Sequence, residues 1–380
     1  MKCIVTGVCF VVLCGTFAHA AGAESESAVD SRPSSVAPDI RDDDSELKFQ
    51  RGNFVVVPIP ISNPTLGTGL VAGGAYFYGQ TAEQRAEQPA SLTAIAGLYT
   101  DNDSRALVLG HQNYWSRNRW RFTGAIGAAD LRLSLPVPDE LGLEETTDWK
   151  IDGAFLFGKL ARKIGGSWYG GLQIRAIDAD QSFAVAEEEE QGRSADFDVD
   201  ASIQSAGLGA LVEYDSRDMP INSYAGRYFI LDVMFNAEAF GSDATYQNYS
   251  SAYRSYHAVR ENLVLALDLQ ACARSGRAAL WDACTIRLRG FSATDYLGKQ
   301  SASTQLEARW QATPRWGAVA FAGVGWVGHA LIEDDERDPI PSYGLGVRFM
   351  VLPAKRVNLR VDFARSDDSD AVHVSVGEAF

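Results

Sequence analysis

The sequence predicts an all-β protein: a transmembrane antiparallel β-barrel of about 16 strands in the outer membrane of a Gram-negative-type bacterium. Three observations predict it. The chain begins with the pattern of a secretory signal peptide, and apolar and polar residues alternate nearly everywhere after it. No apolar stretch after residue 20 reaches the ~18 residues that a membrane helix needs. A closed barrel is the other structure that satisfies every backbone polar group inside lipid.

The first 20 residues decide the compartment. Lys2 gives a short positive region, residues 4–17 form an apolar core, and Ala18 to Ala20 fit a small-x-small cleavage site. We therefore expect residues 1–20 to be a signal peptide. Cys14 raises the alternative of a lipoprotein, but the leucine before it is larger than the residue that a lipid-attachment motif has there.

Acidic residues concentrate in a few segments. Residues 24–46 carry eight acidic residues and two arginines among Ser and Pro, so residues 21–51 are expected to be a disordered leader. The net charge of −15 argues against a nucleic-acid partner. The acidic runs Glu187–Glu190 and Glu333–Glu336 are expected to be solvated loop tips. The alternative is that they bind divalent cations that bridge to lipopolysaccharide.

From residue 52 to residue 380 the chain is expected to be one barrel domain. Alternation is clear where Phe229, Leu231, Val233 and Phe235 share one face and polar residues share the other. Sixteen runs can be counted: 52–61, 66–79, 91–100, 104–114, 119–132, 149–161, 166–184, 203–215, 226–240, 258–272, 277–287, 302–312, 317–330, 341–351, 356–364 and 370–380.

The first run contains two prolines, Pro58 and Pro60, and each removes a hydrogen-bond donor from the sheet. A barrel that seals weakly between its first and last strands tolerates them there. Aromatic residues near the predicted periplasmic strand ends indicate an interfacial girdle, although aromatic residues near turns are also common. They are Trp115, Trp120, Trp168, Trp310, Trp316, Tyr114 and Tyr169.

Two of the five cysteines matter for the exported chain, because the other three leave with the signal peptide. Cys272 and Cys284 are twelve residues apart and would reach an oxidising compartment. A disulfide between them is allowed, and the sequence leaves open whether it forms.

Three segments carry a family resemblance. The first is Leu288–Phe291, which opens a polar stretch at 292–301; the second is Tyr214–Pro220 followed by Gly226; the third is Val372–Phe380. Together they resemble the BamA/TamA family of outer-membrane assembly barrels, also called the bacterial surface antigen family. The resemblance covers residues 52–380. It implies a short member that lacks the periplasmic repeat domains of other members.

The resemblance assigns a place to each motif. It implies that Arg289, Gly290 and Phe291 lie on a long sixth external loop that folds back into the lumen, and the strand count independently places them in the sixth external loop. It also implies a periplasmic turn between strands eight and nine, where the count places the second motif. The residues of that turn motif are Asp215, Arg217, Asp218, Pro220 and Gly226.

Arg289 needs a carboxylate partner, because a guanidinium inside a lumen is costly without one. Glu307 and Asp362 are candidates, since the alternation puts both on inward faces. The family has an aspartate in an F-x-D-x-G strand motif. Here the corresponding residues are Phe321 to Gly325, and Gly323 stands where the acid would be. The partner therefore stays open.

The resemblance implies a role in outer-membrane assembly or transport, as a barrel that inserts or translocates protein. The expected partners are outer-membrane lipids, possible protein clients and the host barrel-assembly machinery, which would read Phe380 as a C-terminal sorting signal. The alternative is a passive pore or structural surface antigen without insertase activity.

A third class, an outer-membrane enzyme such as a lipid-modifying hydrolase, is disfavoured. His111, His257, His329 and His373 lie in no recognisable catalytic motif. We therefore expect no catalytic residue, no metal and no cofactor.

Overall fold

A computed structural model describes residues 52–136, 146–185, 197–331, 339–353, 356–366 and 369–380. The predicted signal peptide and leader, and the acidic runs at 187–190 and 333–336, lie outside the described residues. In the described ranges, no helix is long and apolar enough to cross a membrane.

Sixteen wall strands form one closed antiparallel barrel, which confirms the predicted fold class and strand number. Each wall strand pairs with its neighbours along the chain, and β17 pairs with β1. A further strand, β12, has two residues and lies in a loop. The strands are β1 (Asn53–Asn63), β2 (Gly67–Phe77), β3 (Leu92–Thr100), β4 (Arg105–Trp115), β5 (Trp120–Pro136), β6 (Thr146–Gly165), β7 (Trp168–Val185), β8 (Phe197–Asp215), β9 (Gly226–Asn236), β10 (Tyr246–Arg260), β11 (Leu263–Gly276), β12 (Cys284–Thr285), β13 (Leu297–Gln311), β14 (Trp316–Ala330), β15 (Ile340–Leu352), β16 (Val357–Ser366) and β17 (Asp370–Val376).

Two predicted runs are wrong. The tenth, 258–272, spans the turn between β10 and β11, and the eleventh, 277–287, lies in the loop that follows β11. The strand that was missed is β10, Tyr246–Arg260. It is rich in Tyr, Ser, Asn and Arg, so the contrast between its two faces is weak. One false strand was counted and one true strand was missed, so the predicted number of strands is still sixteen. The loop that contains Arg289 therefore follows the eleventh wall strand, as predicted.

The alternation that predicted the strands separates the two faces of the wall. On β9 and β11, Leu231, Leu265 and Leu269 are exposed on the outer face, whereas Asp232 and Asp268 are buried on the inner face. This pattern places apolar side chains on the outer face and polar ones toward the lumen, as in outer-membrane barrels.

The barrel is closed by a weakly paired junction between β1 and β17. Only Ser62 and Val374 are matched across it, whereas β1 pairs with β2 along its whole length. Pro58 and Pro60 lie in β1 and remove two N–H donors from this strand. We call the β1–β17 junction the seam.

One short helix, α1 (Ala82–Glu87), lies in the connection from β2 to β3. Thr81 caps it: the Thr81 side chain accepts from the Gln84 N–H at 3.2 Å, and the Gln84 side chain accepts from the Thr81 N–H at 3.0 Å. This connection is on the same side of the barrel as the start of β1 and the end of β17, the predicted periplasmic side.

Most of the predicted aromatic girdle lies at strand ends on that side. Trp168, Trp310 and Trp316 are exposed there, and Trp115 stacks on Trp120 with ring centroids 6.2 Å apart. Tyr114 and Tyr169 are buried on the inner face instead. Those two tyrosines are therefore not girdle residues, because the alternation along β4 and β7 turns them inward.

Candidate functional site

The candidate site is the loop between β11 and β13, residues 277–296, which we call loop 6. Its first part forms a short 3-10 turn, Leu280–Asp282, whose Trp281 is fully buried. Ala279, Trp281 and Ala283 belong to one apolar cluster with inward side chains of the first strands, such as Ile59 and Leu92. Loop 6 thus folds into the barrel, as the resemblance implied.

A disulfide ties loop 6 to the wall. Cys272 on β11 and Cys284 on β12 are bonded, with their Cα atoms 5.6 Å apart. The sequence had left this pairing open. The bond fixes the start of loop 6 close to the strand from which it leaves.

Arg289 binds both of its candidate partners. Its Nη1 donates to Asp362 Oδ2 at 2.9 Å and its Nη2 donates to Glu307 Oε2, while Gln305 Oε1 accepts at 2.8 Å. The guanidinium carbon lies 3.4 Å from the centroid of the Phe321 ring. Arg289 is only 6% exposed. The buried guanidinium thus contacts two carboxylates, an amide and the face of an aromatic ring, and these contacts hold loop 6 in place. We call these contacts the Arg289 clamp.

Gly290 and Phe291 complete the motif. Gly290 has φ +100°, in the left-handed region that favours glycine. Its N–H donates to His373 Nε2 at 3.2 Å, and its carbonyl accepts from Ser369 Oγ at 2.7 Å, so the backbone docks against β17. The Phe291 ring meets the Tyr296 ring edge-on at 5.6 Å, inside a small apolar cluster. The motif therefore fixes the loop by charge, by backbone and by packing.

The glycine at position 323, where the motif of the BamA/TamA family has an acid, has a steric explanation. A Cβ at Gly323 would lie 2.5 Å from the Thr304 carbonyl oxygen and 3.1 Å from Leu288 Cδ2 of loop 6. No side chain fits there without a shift of the neighbours. The carboxylates that hold Arg289 come from β13 and β16 instead, through Glu307 and Asp362.

The Arg289 clamp is part of a larger charge network that sequence reasoning missed. Glu307 also binds Arg309 at 2.6 Å, and Asp362 also binds Arg348, whose Nε contacts Glu378 at 2.8 Å. One signal was available: Arg309 is two residues after Glu307 and so shares its inward face. We call these residues, together with Arg289 and Asp362, the lumen network.

The last residues enter the same network, which corrects the end of the predicted run 370–380. A strand continued to residue 380 would put Phe380 on the same face as Val372, Val374 and Val376. Instead β17 ends at Val376, Gly377 has φ +97°, and the chain turns inward. The main-chain oxygen of Phe380 accepts from Arg309 Nη2 at 2.9 Å. Its ring packs on Tyr256, Val264 and Ala266. Whether Phe380 is a sorting signal stays a prediction.

A second clamp holds the other end of loop 6. Asp282 accepts two hydrogen bonds from Arg175 on β7, at 2.5 and 2.7 Å, and one from the Tyr246 hydroxyl at 2.6 Å. Arg175 also donates to Asn236 at 3.0 Å. Burial opposes ionisation of Asp282, but the charge of Arg175 outweighs it and holds the pKa of Asp282 well below its usual range. Arg175 and Asp282 are 107 positions apart in the sequence, so sequence reasoning does not find this pair.

The residues of the predicted turn motif lie in and beside the connection between β8 and β9. Arg217 binds Asp215 through two nitrogens, at 2.9 and 3.0 Å, and donates to the Pro220 carbonyl at 3.4 Å. Burial opposes the charged form of Arg217, but Asp215 outweighs it and raises the pKa of Arg217. Asp218 accepts from the Tyr224 N–H at 3.0 Å.

Gly226 closes this turn. Its φ is +100°, and a Cβ there would lie 2.2 Å from the carbonyl oxygen of Ser216. Each residue of the motif therefore has a structural role in the turn, and the turn fixes how β8 leads into β9.

Solved structures with this fold include three barrels. BamA from Haemophilus ducreyi lacking POTRA domains 1-3 matches with a TM-score of 0.58 and 12% identity, over 87% of this chain and 70% of that chain. CdiB from Acinetobacter baumannii has a TM-score of 0.55 and 12% identity, over 86% of this chain and 60% of that chain. CdiB from Escherichia coli has a TM-score of 0.52 and 12% identity, over 85% of this chain and 62% of that chain.

These similarities show the fold. The chain spans about three fifths of the length of each CdiB chain. No protein-family model matches the sequence, and no curated protein matches it. The likeness in fold agrees with the barrel that the sequence motifs predicted.

Proposed function

We propose that this chain acts at the outer membrane of a Gram-negative-type bacterium as a barrel that inserts or translocates polypeptide clients. Its partners would be outer-membrane lipids, such clients and the host barrel-assembly machinery, and no chemical catalysis is assigned to it. The observation that carries the proposal is the seam, where Ser62 and Val374 are the one matched pair.

The seam supports this role because backbone groups are costly to leave unpaired in lipid. Every other junction of the wall is paired over many residues, so separating it would expose many N–H and C=O groups to hydrocarbon. Opening the seam exposes far fewer additional groups. An open seam would also present the edges of β1 and β17, and an exposed strand edge is a template for pairing with another strand.

Loop 6 supports the same role and argues against a passive pore. It is held inside the barrel by Arg175 on one side and by Glu307 and Asp362 on the other. A loop anchored to well-separated strands obstructs the lumen. A wide, steady channel would require both clamps to open.

A disulfide across the seam tests the proposal. Ser62→Cys with Val374→Cys would lock the seam, and Val347→Cys with Val361→Cys is the matched control, because those two residues are directly opposite each other on the paired strands β15 and β16. We expect the seam crosslink to abolish client assembly in cells that depend on this chain, and the control crosslink to leave it intact.

Reductant should restore assembly in the seam variant. The wild-type chain must be treated in parallel, since the Cys272–Cys284 bond would also be reduced. Full client assembly with a locked seam would reject the insertion role. Steady conductance in a locked, client-free barrel would favour the passive pore.

A further inference from the structure

A cavity of about 630 Å³ opens at the predicted periplasmic end of the barrel, between α1 and the ends of β3 and β4. Polar side chains in its lining include Tyr78, Ser91, His111 and Asn113. None of these residues belongs to loop 6, the lumen network or the seam. The cavity therefore needs an explanation of its own.

The strand pattern places the cavity on the outer face of the wall. Side chains of one face recur every second residue, and His111 shares its face with Leu107 and Leu109, which are exposed. In β3 and β4, Ile95 is opposite Leu109, and the next pair on the same face is Thr93 opposite His111. The outer face thus changes from apolar to polar within one step of ~7 Å. That change marks the depth at which hydrocarbon gives way to lipid headgroups.

The polar wall of the cavity is organised by hydrogen bonds. Thr93 Oγ1 is 3.0 Å from the Tyr78 hydroxyl and 2.8 Å from His111 Nδ1. Ser91 Oγ donates to Asn113 Oδ1 at 2.7 Å. Because Thr93 engages Nδ1, the nitrogen that can contact a ligand is His111 Nε2. The wall thus presents fixed polar groups next to the exposed apolar side chains of Ile95 and Leu109.

The rim of the cavity has a defined charge. Arg117 binds Glu83 and Glu87 of α1, each at 3.0 Å, and all three side chains keep substantial exposure. Among the charged residues that line the cavity, two carboxylates face one guanidinium, so this lining carries an excess of one negative charge; Arg85 of α1 is not part of the lining. A ligand that brings both a phosphate and an ammonium group fits this arrangement. Arg117 and His111 would take the phosphate, and the glutamates would take the ammonium.

We propose that this cavity binds the headgroup of a periplasmic-leaflet phospholipid that carries a primary ammonium group. Its acyl chains lie along the apolar face above the cavity, at Ile95, Leu107 and Leu109. A phospholipid without an ammonium group meets the excess negative charge of the rim and binds less well. The proposal rests on the outer-membrane location given under Proposed function, and it does not depend on insertion activity.

Native mass spectrometry of the full chain tests the site. Detergent-purified protein is titrated with phosphatidylethanolamine or with phosphatidylglycerol, and the retained lipid is measured. We expect the wild type to prefer phosphatidylethanolamine by about fivefold, the upper range for exposed ion pairs. Glu83→Gln with Glu87→Gln should remove the preference. Glu261→Gln, which changes an exposed acid in a different periplasmic turn, should keep it.

Three results would overturn the site: equal retention of both lipids by the wild type, an unchanged preference in the double variant, or equal loss in the Glu261→Gln control. Binding of free glycerophosphoethanolamine as tight as that of the lipid would assign the cavity to a soluble ligand instead. His111→Leu tests whether His111 binds the ligand or only stabilises the fold. It should lower the retention of phosphatidylethanolamine while leaving the barrel folded, as judged by its heat-modifiable migration.

A failure here is distinguishable from a failure of the proposed function. The seam crosslink reports on client assembly and does not involve the cavity. Fractionation reports on the outer-membrane location on which the lipid assignment depends. A chain that assembles clients but shows no lipid preference would overturn the cavity proposal alone.

Discussion

Arg348 and Glu378 form an ion pair of 2.8 Å inside the barrel, and this pair joins two parts of the chain that sequence reasoning treated separately. Arg348 also binds Asp362, which holds Arg289 of loop 6. Glu378 belongs to the inward-turned segment that follows β17. The clamp on loop 6 and the strand at the seam are therefore linked through one guanidinium.

The first prediction is that loss of Arg348 loosens both parts together. Arg348→Ala leaves Glu378 and Asp362 buried with one partner fewer, at a cost of about 3–5 kcal/mol where burial is deep and less where lumen water screens the charges. We expect a lower temperature for loss of the folded, fast-migrating form. Added protease should cut both in loop 6 and near residue 378.

A double-mutant cycle checks this coupling. Arg289→Ala and Glu378→Gln should be less than additive in their effect on stability, because Arg348 and Asp362 connect them. Arg105→Ala is a suitable control, since Arg105 pairs with Asp130 on the outer face, away from the lumen network. Full additivity of Arg289→Ala with Glu378→Gln would contradict the coupling.

The second prediction concerns the Arg289 clamp itself. Arg289→Ala should release loop 6 and expose residues 292–296 to protease added to intact cells. Arg289→Lys should rescue only in part, because an ammonium group cannot bind two carboxylates and stack on Phe321 as the planar guanidinium does. Wild-type protection in Arg289→Ala would reject the role of the clamp.

Both carboxylates should matter for this clamp. Glu307→Gln and Asp362→Asn should each be non-additive with Arg289→Ala, since each acid contacts Arg289. If one of them is additive, that acid stabilises the other arginines of the lumen network rather than loop 6.

Much of this fold could be predicted from the sequence because the wall of a barrel is periodic. Leu263, Leu265, Leu267 and Leu269 alternate with polar residues, and that local pattern reports which face meets lipid. The strand Tyr246–Arg260 was not predicted, because polar residues lie on both of its faces and the alternation is weak. The turn motif was also predictable, because it depends on local backbone conformation. At Gly226, for example, the backbone permits only glycine.

The site was predictable only where a pattern or motif pointed to it. Arg289 could be predicted from the loop motif, and Glu307 and Asp362 could be predicted because the alternation along their strands puts them on inward faces. The Arg175–Asp282 pair joins residues 107 positions apart and has no motif. The inward turn after Val376 depends on Gly377 and on the burial of Glu378. The sequence alternation continues past Val376, so it predicts a longer strand and not this turn.

The third prediction is that loop 6 has two independent anchors near its start. Cys272→Ser with Cys284→Ser should lower stability by about 3 kcal/mol or less, the cost expected for opening a loop of this size. Loop 6 should stay inside, because Asp282 still binds Arg175. Adding Asp282→Asn should then expose residues 277–284 to protease. Exposure after loss of the disulfide alone would show that the Arg175 clamp is too weak to hold the loop.

The last prediction concerns Gly323, the position where the motif of the BamA/TamA family has an acid. Gly323→Ala should destabilise the barrel and displace loop 6, because its Cβ would lie 2.5 Å from the Thr304 carbonyl oxygen and 3.1 Å from Leu288 Cδ2. Overpacking of this kind costs about 1–3 kcal/mol. Gly165→Ala is the matched control, since a Cβ at Gly165 meets nothing within 4 Å. Gly323→Asp should be more destabilising than Gly323→Ala, although the motif of the BamA/TamA family has an acid there, because Glu307 and Asp362 already bind Arg289. Thermal stability and protease access to loop 6 measure both effects. A Gly323→Asp barrel at least as stable as the wild type would show that the lumen can rearrange to accept a third carboxylate.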